Sequence, residues 1–498
     1  MNALVDPDRS EWDVIVLGGA AAGENAAQYA TQFSGLDAVI VEKDLVGGEC
    51  SYWACMPSKA LLRPVEMLSV GRDLPGVSEL IGDRDLDTAA VLARRDTVVK
   101  HLDDSSQVQW ALGAGIDIVR GRGRLDGERA VVVVHPDGSE RRLTARHAVV
   151  LDTGSTALIP PVPGLRDARP WTSRDVTNIH EVPARVVVLG GGVVACEAAT
   201  WLRGLGVSQI TVVHRGGRLL AKNEPFVGDL IEGRFRESGI ALRLGTSATS
   251  VRRADVNEAG VGHVHGGEVT VSLSDDDTVT ADEIVVATGR TANSAGIGLE
   301  TVGLDPGGPV TVDDHMTVTG VAGNWLYAIG DLCGRALLTH MGKYQARIAG
   351  NVIAARAAGQ ALGDGPFTPY ADVADHGLVP QVIFTDPEIG SVGLTEAQAG
   401  ERNLDVEVVE YDLAELAGTY VLRDNYVGRA KLVVDRSADV VVGATFAGTG
   451  VAELTHSATM AIVAKIPIPV LWHVVPSYPT ASEAWLRLLE TLNADRHT

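Results

Sequence analysis

Cysteine is scarce, with four in 498 residues at Cys50, Cys55, Cys196 and Cys333. That is too few for a disulfide-stapled secreted scaffold. Positive charge is also short: 42 Lys and Arg against 64 Asp and Glu leave a net charge of −22. Such a chain repels polyanions, which argues against nucleic acid and against an anionic membrane surface. Long apolar runs are missing. The best of them, Val186 to Leu202, is broken by Gly190, Gly191 and Gly192 and contains Glu197, so no segment reads as a membrane span. The opening MNALVDPDRSEWD lacks a charged-then-apolar leader, so a cytoplasmic chain is expected. What is present is ordinary for a folded protein: 45% hydrophobic and 21% charged residues, which excludes wholesale disorder. The length suggests about three domains.

The first strong segment is Trp12 to Leu17, a short β-rich run that reads as a buried parallel strand. GGAAAG follows at Gly18 to Gly23, then the helix-forming ENAAQYATQF, then AVIV ending at Glu42. This is a βαβ unit. The pattern returns with RVVVL (Arg185 to Leu189), the loop Gly190 to Gly192, a helical stretch, and ITVV ending at His214. Two such units imply two nucleotide sites or a duplication. PPVPG (Pro160 to Gly164) reads as a connector and GQALGDGPFTP (Gly359 to Pro369) as a linker, and the chain closes with an amphipathic helix expected over Ala481 to Leu492.

A pyrophosphate needs close backbone approach and free N–H groups at a helix N-terminus. In the first loop Gly18 permits the tight turn and Gly23 permits helix–strand packing, while Ala20 takes the middle position. Glu42, nineteen residues past Gly23, stands where a carboxylate binds ribose hydroxyls. In the second loop the corresponding residues are Gly190, Gly192 and Ala195, but the strand ends in His214 and Arg215 with Arg218 nearby. A cationic pair there suits a 2′-phosphate, so NADPH is read in preference to NADH. Cys50 and Cys55 have four residues between them in GGECSYWACMPSK. On the first turns of a helix two such thiols can reach disulfide distance, and a helix N-terminus favours thiolate. Two buried structural cysteines are the alternative.

These landmarks in this order, followed by DTGS (Asp152 to Ser155), ATGRTAN (Ala287 to Asn293), YAIGD ending at Asp331 and FTDPEIGSVGLTE (Phe384 to Glu396), resemble the flavoprotein disulfide reductases. That family includes dihydrolipoamide dehydrogenase, glutathione reductase, mercuric reductase and soluble pyridine nucleotide transhydrogenase. The resemblance implies an α/β fold with two Rossmann-like domains, for FAD and NAD(P)H, and a C-terminal α+β dimerisation domain. The expected segments are 1–158 and 290–365 for FAD, 159–289 for NAD(P)H and 366–498 for dimerisation. It implies FAD at Gly18, Gly23, Glu42, Gly123, Thr153, Gly154, Asp331 and Thr339, and a nicotinamide nucleotide at the second loop and Gly289. Lys59 and Glu197 resemble the family's ion pair beside the flavin. Cys55 resembles the flavin-side cysteine whose thiolate gives a charge-transfer band, and Cys50 the interchange thiol that meets substrate. Cys196 and Cys333 match no redox position and are read as packing. No metal site is expected.

The family's His-Pro-Thr-x-x-Glu motif, supplied across a homodimer, is altered. Here it reads Tyr478-Pro-Thr-Ala-Ser-Glu483, with His473 five residues too early to substitute. A phenol with a pKa of about 10 is a poor base near neutrality, where an imidazole near about 6.5 is a good one. Asp152 stands where the family has alanine, and Tyr52 and Trp53 make the intercysteine segment bulky; they are read as packing in preference to narrowing access to Cys50. Three functions follow. The first passes electrons from NADPH through FAD and the cysteines to a small acceptor, whether disulfide, metal or other soft molecule. The second is a quinone reductase or transhydrogenase with the cysteines secondary. The third is a flavin-bound redox sensor.

Overall fold

The computed structural model describes residue 6 and residues 8–363 and 365–497. The chain divides into two compact units. The first joins Met1–Pro57, Asp96–Thr156 and Arg290–His376; the second joins Ser58–Arg95, Ala157–Gly289 and Gly377–Thr498.

The first unit is built on a seven-stranded sheet. Strand Glu11–Leu17 pairs in parallel with Ala38–Glu42 on one side and with Glu140–Leu151 on the other. Ile116–Arg120 extends the first edge in parallel, and Leu326–Ala328 pairs in parallel with the end of Glu140–Leu151. Arg122–Leu125 and Ala130–Val134 complete the sheet as an antiparallel meander. Val14, Ile15, Val16, Val39, Ile40 and Val149 are fully buried, which is why these strands read as unbroken apolar runs instead of alternating ones. Helix Ala21–Thr31 buries a face of small residues, Ala22, Gly23, Ala26, Ala27 and Ala30. That face lets helix Thr339–Ala357 come close: a Cβ on Gly350 would lie 2.6 Å from the Tyr29 Cβ. The sheet and the small-residue helix together fix the mouth of the first glycine loop.

The second unit holds a four-stranded parallel sheet in the order Ala241–Leu244, Gln209–His214, Arg185–Leu189, Glu283–Val286. A three-stranded antiparallel sheet, Ala248–Arg253, Val269–Leu273 and Thr278–Ala281, accompanies it. Its C-terminal part is a five-stranded antiparallel sheet running Gln381–Ile383, Glu388–Gly393, Val440–Gly448, Arg429–Asp435, Val406–Asp412. Leu454, Ala458 and Ala461 of one helix and Leu488, Leu489 and Leu492 of the last pack into one core with Leu432 and Phe446. That last helix runs Glu483–Asp495, starting two residues later than expected and extending further. Among the described residues no helix is long and apolar enough to cross a membrane.

Candidate active site

In the first unit the strand Glu11–Leu17 turns sharply at Gly18, whose φ of +111° is open only to glycine and where a Cβ would sit 2.0 Å from the Asp152 carbonyl. A Cβ at Gly23 would meet the Gly18 carbonyl at the same 2.0 Å. Glu42 is buried and ties down the loop: its Oε2 accepts the Gly19 N–H at 2.7 Å and its Oε1 the Asp44 N–H at 2.7 Å. Gly123 lies against the same strands, where a Cβ would meet the Leu17 Cδ2 at 2.7 Å. The N-cap residue of helix Ala21–Thr31, Ala20, supplies no side-chain bond to the helix start, and of the first-turn donors the Gly23 N–H is taken by Asp152 Oδ2 at 2.6 Å. Glycine wedges, a helix start aimed at the loop and a terminal acid fit a dinucleotide pyrophosphate and ribose, as FAD requires.

The next part of the site is a hydrogen-bonded seam. The Thr153 hydroxyl donates to the Asn293 carbonyl at 2.8 Å, and the Asn293 amide returns a bond to the Thr153 carbonyl at 3.0 Å. Gly154, at φ +70°, leaves open space beside the backbone. The Ser155 hydroxyl donates to Asp331 at 2.5 Å and accepts from Arg290 Nε at 2.6 Å. Ser155, Arg290 and Asn293 were not singled out from the sequence, although each lies inside a motif that was.

The cysteines do not share one continuous helix, contrary to expectation. Cys50 lies in the short helix Gly48–Tyr52, and Cys55 opens the separate helix Cys55–Arg72. The break falls at Trp53 and Ala54, where Trp53 leaves helical conformation at φ −127°. The two thiols still come close enough for each to affect the other's ionisation, and the Thr339 hydroxyl lies 3.3 Å from the Cys55 sulfur. The neighbouring Cys55 thiol and burial push the Cys50 thiol well above its ordinary pKa, opposed by Thr339 and Lys343. In the dithiol state Cys50 therefore keeps its proton at neutral pH. Tyr52 is buried, with burial pushing its hydroxyl up to about 12. Cys196 and Cys333 are buried, and burial raises both thiols.

In the second unit Gly190 repeats the wedge: at φ +130° a Cβ would lie 2.3 Å from the Ala287 carbonyl. Gly192 precedes helix Val193–Gly204 with open space around it, and Ala195 is buried behind. Gly289, at φ +138°, is equally open, and its carbonyl accepts the Leu158 N–H. These features fit a second dinucleotide. The expected cationic pair needs correction. His214 packs against the loop, where Cβ atoms on Gly191 and Gly216 would touch its ring at 2.5 and 2.6 Å. Burial, then neighbouring Arg215, lowers the His214 pKa, so the imidazole is neutral near pH 7. The charge at this strand end is carried by exposed Arg215 and by Arg218.

Also in this unit, Lys59 Nζ donates to both oxygens of buried Glu197, at 2.8 and 3.1 Å. The Phe384 N–H donates to the same carboxylate at 2.9 Å, and the ammonium lies 4.8 Å from the Phe384 ring centroid. Phe384 is a partner the sequence did not reveal, because its role depends on a backbone N–H that any residue supplies. Tyr478 is 76% exposed and precedes Pro479 by a cis bond. Glu483 is buried and accepts from Arg487 at 2.6 Å, while its other oxygen is buried without a partner.

Residues 12–359 match the family profile described as pyridine nucleotide-disulphide oxidoreductase, and residues 379–489 match that family's dimerisation domain. The chain belongs to this family. It is an FAD-dependent oxidoreductase family that uses NAD(P)H, so the chain is a flavoprotein enzyme. The chain is 31% identical over 479 residues to a dihydrolipoyl dehydrogenase of Chlorobaculum tepidum, covering 95% of each. It is 29% identical to a glutathione reductase of Burkholderia cepacia, covering 96% of this chain and 98% of the relative. A crystal structure of LpdA from Mycobacterium tuberculosis superposes with a TM-score of 0.79 at 23% identity, over 97% of this chain and 100% of that one. That likeness establishes the fold. Relatives at near-equal identity carry different substrates in their names, so the acceptor follows from the site and not from the likeness.

Proposed function

We propose that the chain oxidises NADPH in preference to NADH and passes the electron pair to the Cys50–Cys55 disulfide and on to a disulfide, a thiol-bound metal or another soft acceptor. The segments 1–158 and 290–365 hold FAD, 159–289 holds the nicotinamide nucleotide, and 366–498 joins two copies into a homodimer. Scarce cysteine suits a reducing compartment, the cytoplasm. The observation that carries the reading is the proximity of the Cys50 and Cys55 thiols, with the Thr339 hydroxyl 3.3 Å from the Cys55 sulfur. FAD, when bound, supplies the two-electron link between the nicotinamide and the cysteines.

The chain's own residues do the rest. Glu42 and the Gly18–Gly23 loop seat the cofactor. Lys59, fixed by Glu197, is the cation read as stabilising added electron density. Against a disulfide, the Cys50 thiolate attacks one substrate sulfur and expels the other as thiolate. Cys55 then attacks the Cys50 sulfur, the internal disulfide reforms, and the second substrate thiolate leaves. Two electrons and two protons pass to the substrate. Because Cys50 holds its proton, the attack needs a base, and a phenol stands where the family's imidazole would supply one. This favours metal and other soft acceptors that displace the thiol proton directly over dithiol exchange.

Cys50→Ser tests the reading. Reduction of disulfide or mercuric–thiol acceptors should fall by at least about 100-fold, while reduction of quinones by NADPH persists. Retention of the thiol-linked turnover within about twofold would overturn it and leave the quinone reading.

A further inference from the structure

Asp152 is only 5% exposed. It follows directly after the strand that pairs with Glu11–Leu17, so its backbone is fixed there: its N–H donates to the Leu17 carbonyl at 2.8 Å. Its Oδ2 accepts the Gly23 N–H at 2.6 Å, which takes one of the donors at the start of helix Ala21–Thr31. Its Oδ1 faces Gly330, where a Cβ would lie 2.8 Å away, so glycine keeps room for the carboxyl. The charged groups that act on it most strongly are Asp331, Glu42 and Glu24, all acids, and the Cys333 thiol also feels its charge. Two positive groups of this unit serve other acids: Arg290 lies 3.6 Å from Asp331, and Lys343 acts on Glu24. Glu24 itself has a buried oxygen without a partner, and burial pushes its carboxyl up to about 7.

A buried carboxylate among three other acids, with one N–H as compensation, is poorly stabilised, and protonation relieves it. Burial first, and then the neighbouring acids, hold Asp152 well above the usual carboxylate range. An anionic pyrophosphate seated on the Gly18–Gly23 loop adds negative charge beside it.

We propose that Asp152 is part of the FAD seat in its neutral acid form, and that FAD binding draws one proton from solvent onto this carboxyl. The proposal rests on the reading that this loop holds FAD. The neutral acid keeps its bond from Gly23 without repelling the diphosphate. As pH rises past the carboxyl's pKa in the FAD-free protein, binding must take up the proton, and the Kd climbs about tenfold per pH unit until the pKa of the loaded protein is reached.

The test is equilibrium FAD release from the purified holoenzyme, read by recovered flavin fluorescence from about pH 5 to 9. Wild type should bind tightest at the acid end and lose at least about tenfold in affinity across the range. Asp152→Asn, which still accepts from Gly23 but cannot ionise, should flatten that dependence and match the acid-form affinity. Glu24→Gln should retain most of the slope. A wild-type Kd independent of pH overturns the proposal. So does a slope that survives in Asp152→Asn, whether or not it disappears in Glu24→Gln. Should Asp152→Asn not accumulate as folded protein, Asp152→Ser takes its place with the same expectation. Failure of the underlying reading looks different: the wild-type protein would then bind no FAD at any pH.

Discussion

Around Gly18 the second strand ends in Glu42, and Glu24, Asp152 and Asp331 stand close by. Around Gly190 the matching strand ends in a neutral His214, with Arg215 and Arg218 carrying the charge. The two backbones are alike to the level of the wedge: each first glycine sits at positive φ, with a neighbouring carbonyl 2.0 or 2.3 Å from where a Cβ would be. The backbone wedge is the same in both units, and the difference lies in the side chains at the strand end. Under the function proposed above, the acid would pair with free ribose hydroxyls of FAD and the arginine with a phosphate on the ribose of NADPH.

The largest effects come from breaking each wedge separately. Gly18→Ala forces a Cβ onto the Asp152 carbonyl at a φ of +111°, and flavin content on purification should fall to near zero. Gly190→Ala should leave flavin content near wild type and instead abolish flavin bleaching by NADPH, read anaerobically. Loss of flavin from both variants would mean the loops are not independent sites.

A smaller effect sharpens the contrast in charge. Arg215→Leu removes a charged hydrogen-bond donor worth about 1.5–3 kcal/mol, so the KM for NADPH should rise roughly tenfold or more while that for NADH barely moves. Equal changes with the two nucleotides would place Arg215 outside the ribose contact. Smallest is His214, whose folded pKa is below its unfolded value. Its contribution to stability is present above the unfolded pKa and is lost as pH falls through the lower folded value. Thermal melts below about pH 6.5 should therefore show a slightly shallower loss of Tm in His214→Asn than in wild type.

The strands and glycine turns were legible because burial on both faces leaves an unbroken aliphatic run, and a wedge between backbones leaves only glycine. RVVVL and AVIVE fall where the run places them. The break between Cys50 and Cys55 was not legible, since nothing in SYWA forbids helix and the interruption appears only in the backbone at Trp53. The charge state of His214 was not legible either. A histidine beside an arginine reads as two cations until the ring is seen packed against Gly191 and Gly216. Asp152 was visible as an odd residue, but its bond to Gly23, 129 positions away, belongs to the fold alone.

The most direct test of the account is an anaerobic titration of the purified protein with NADPH, and in parallel with NADH, followed by visible spectrum and by thiol count. The account predicts two new thiols per chain at two electrons, a long-wavelength band from the Cys55 thiolate beside the flavin, and a more efficient titration with NADPH. Flavin that bleaches at once with neither band nor new thiols would contradict it, and would remove Cys50 and Cys55 from the electron path.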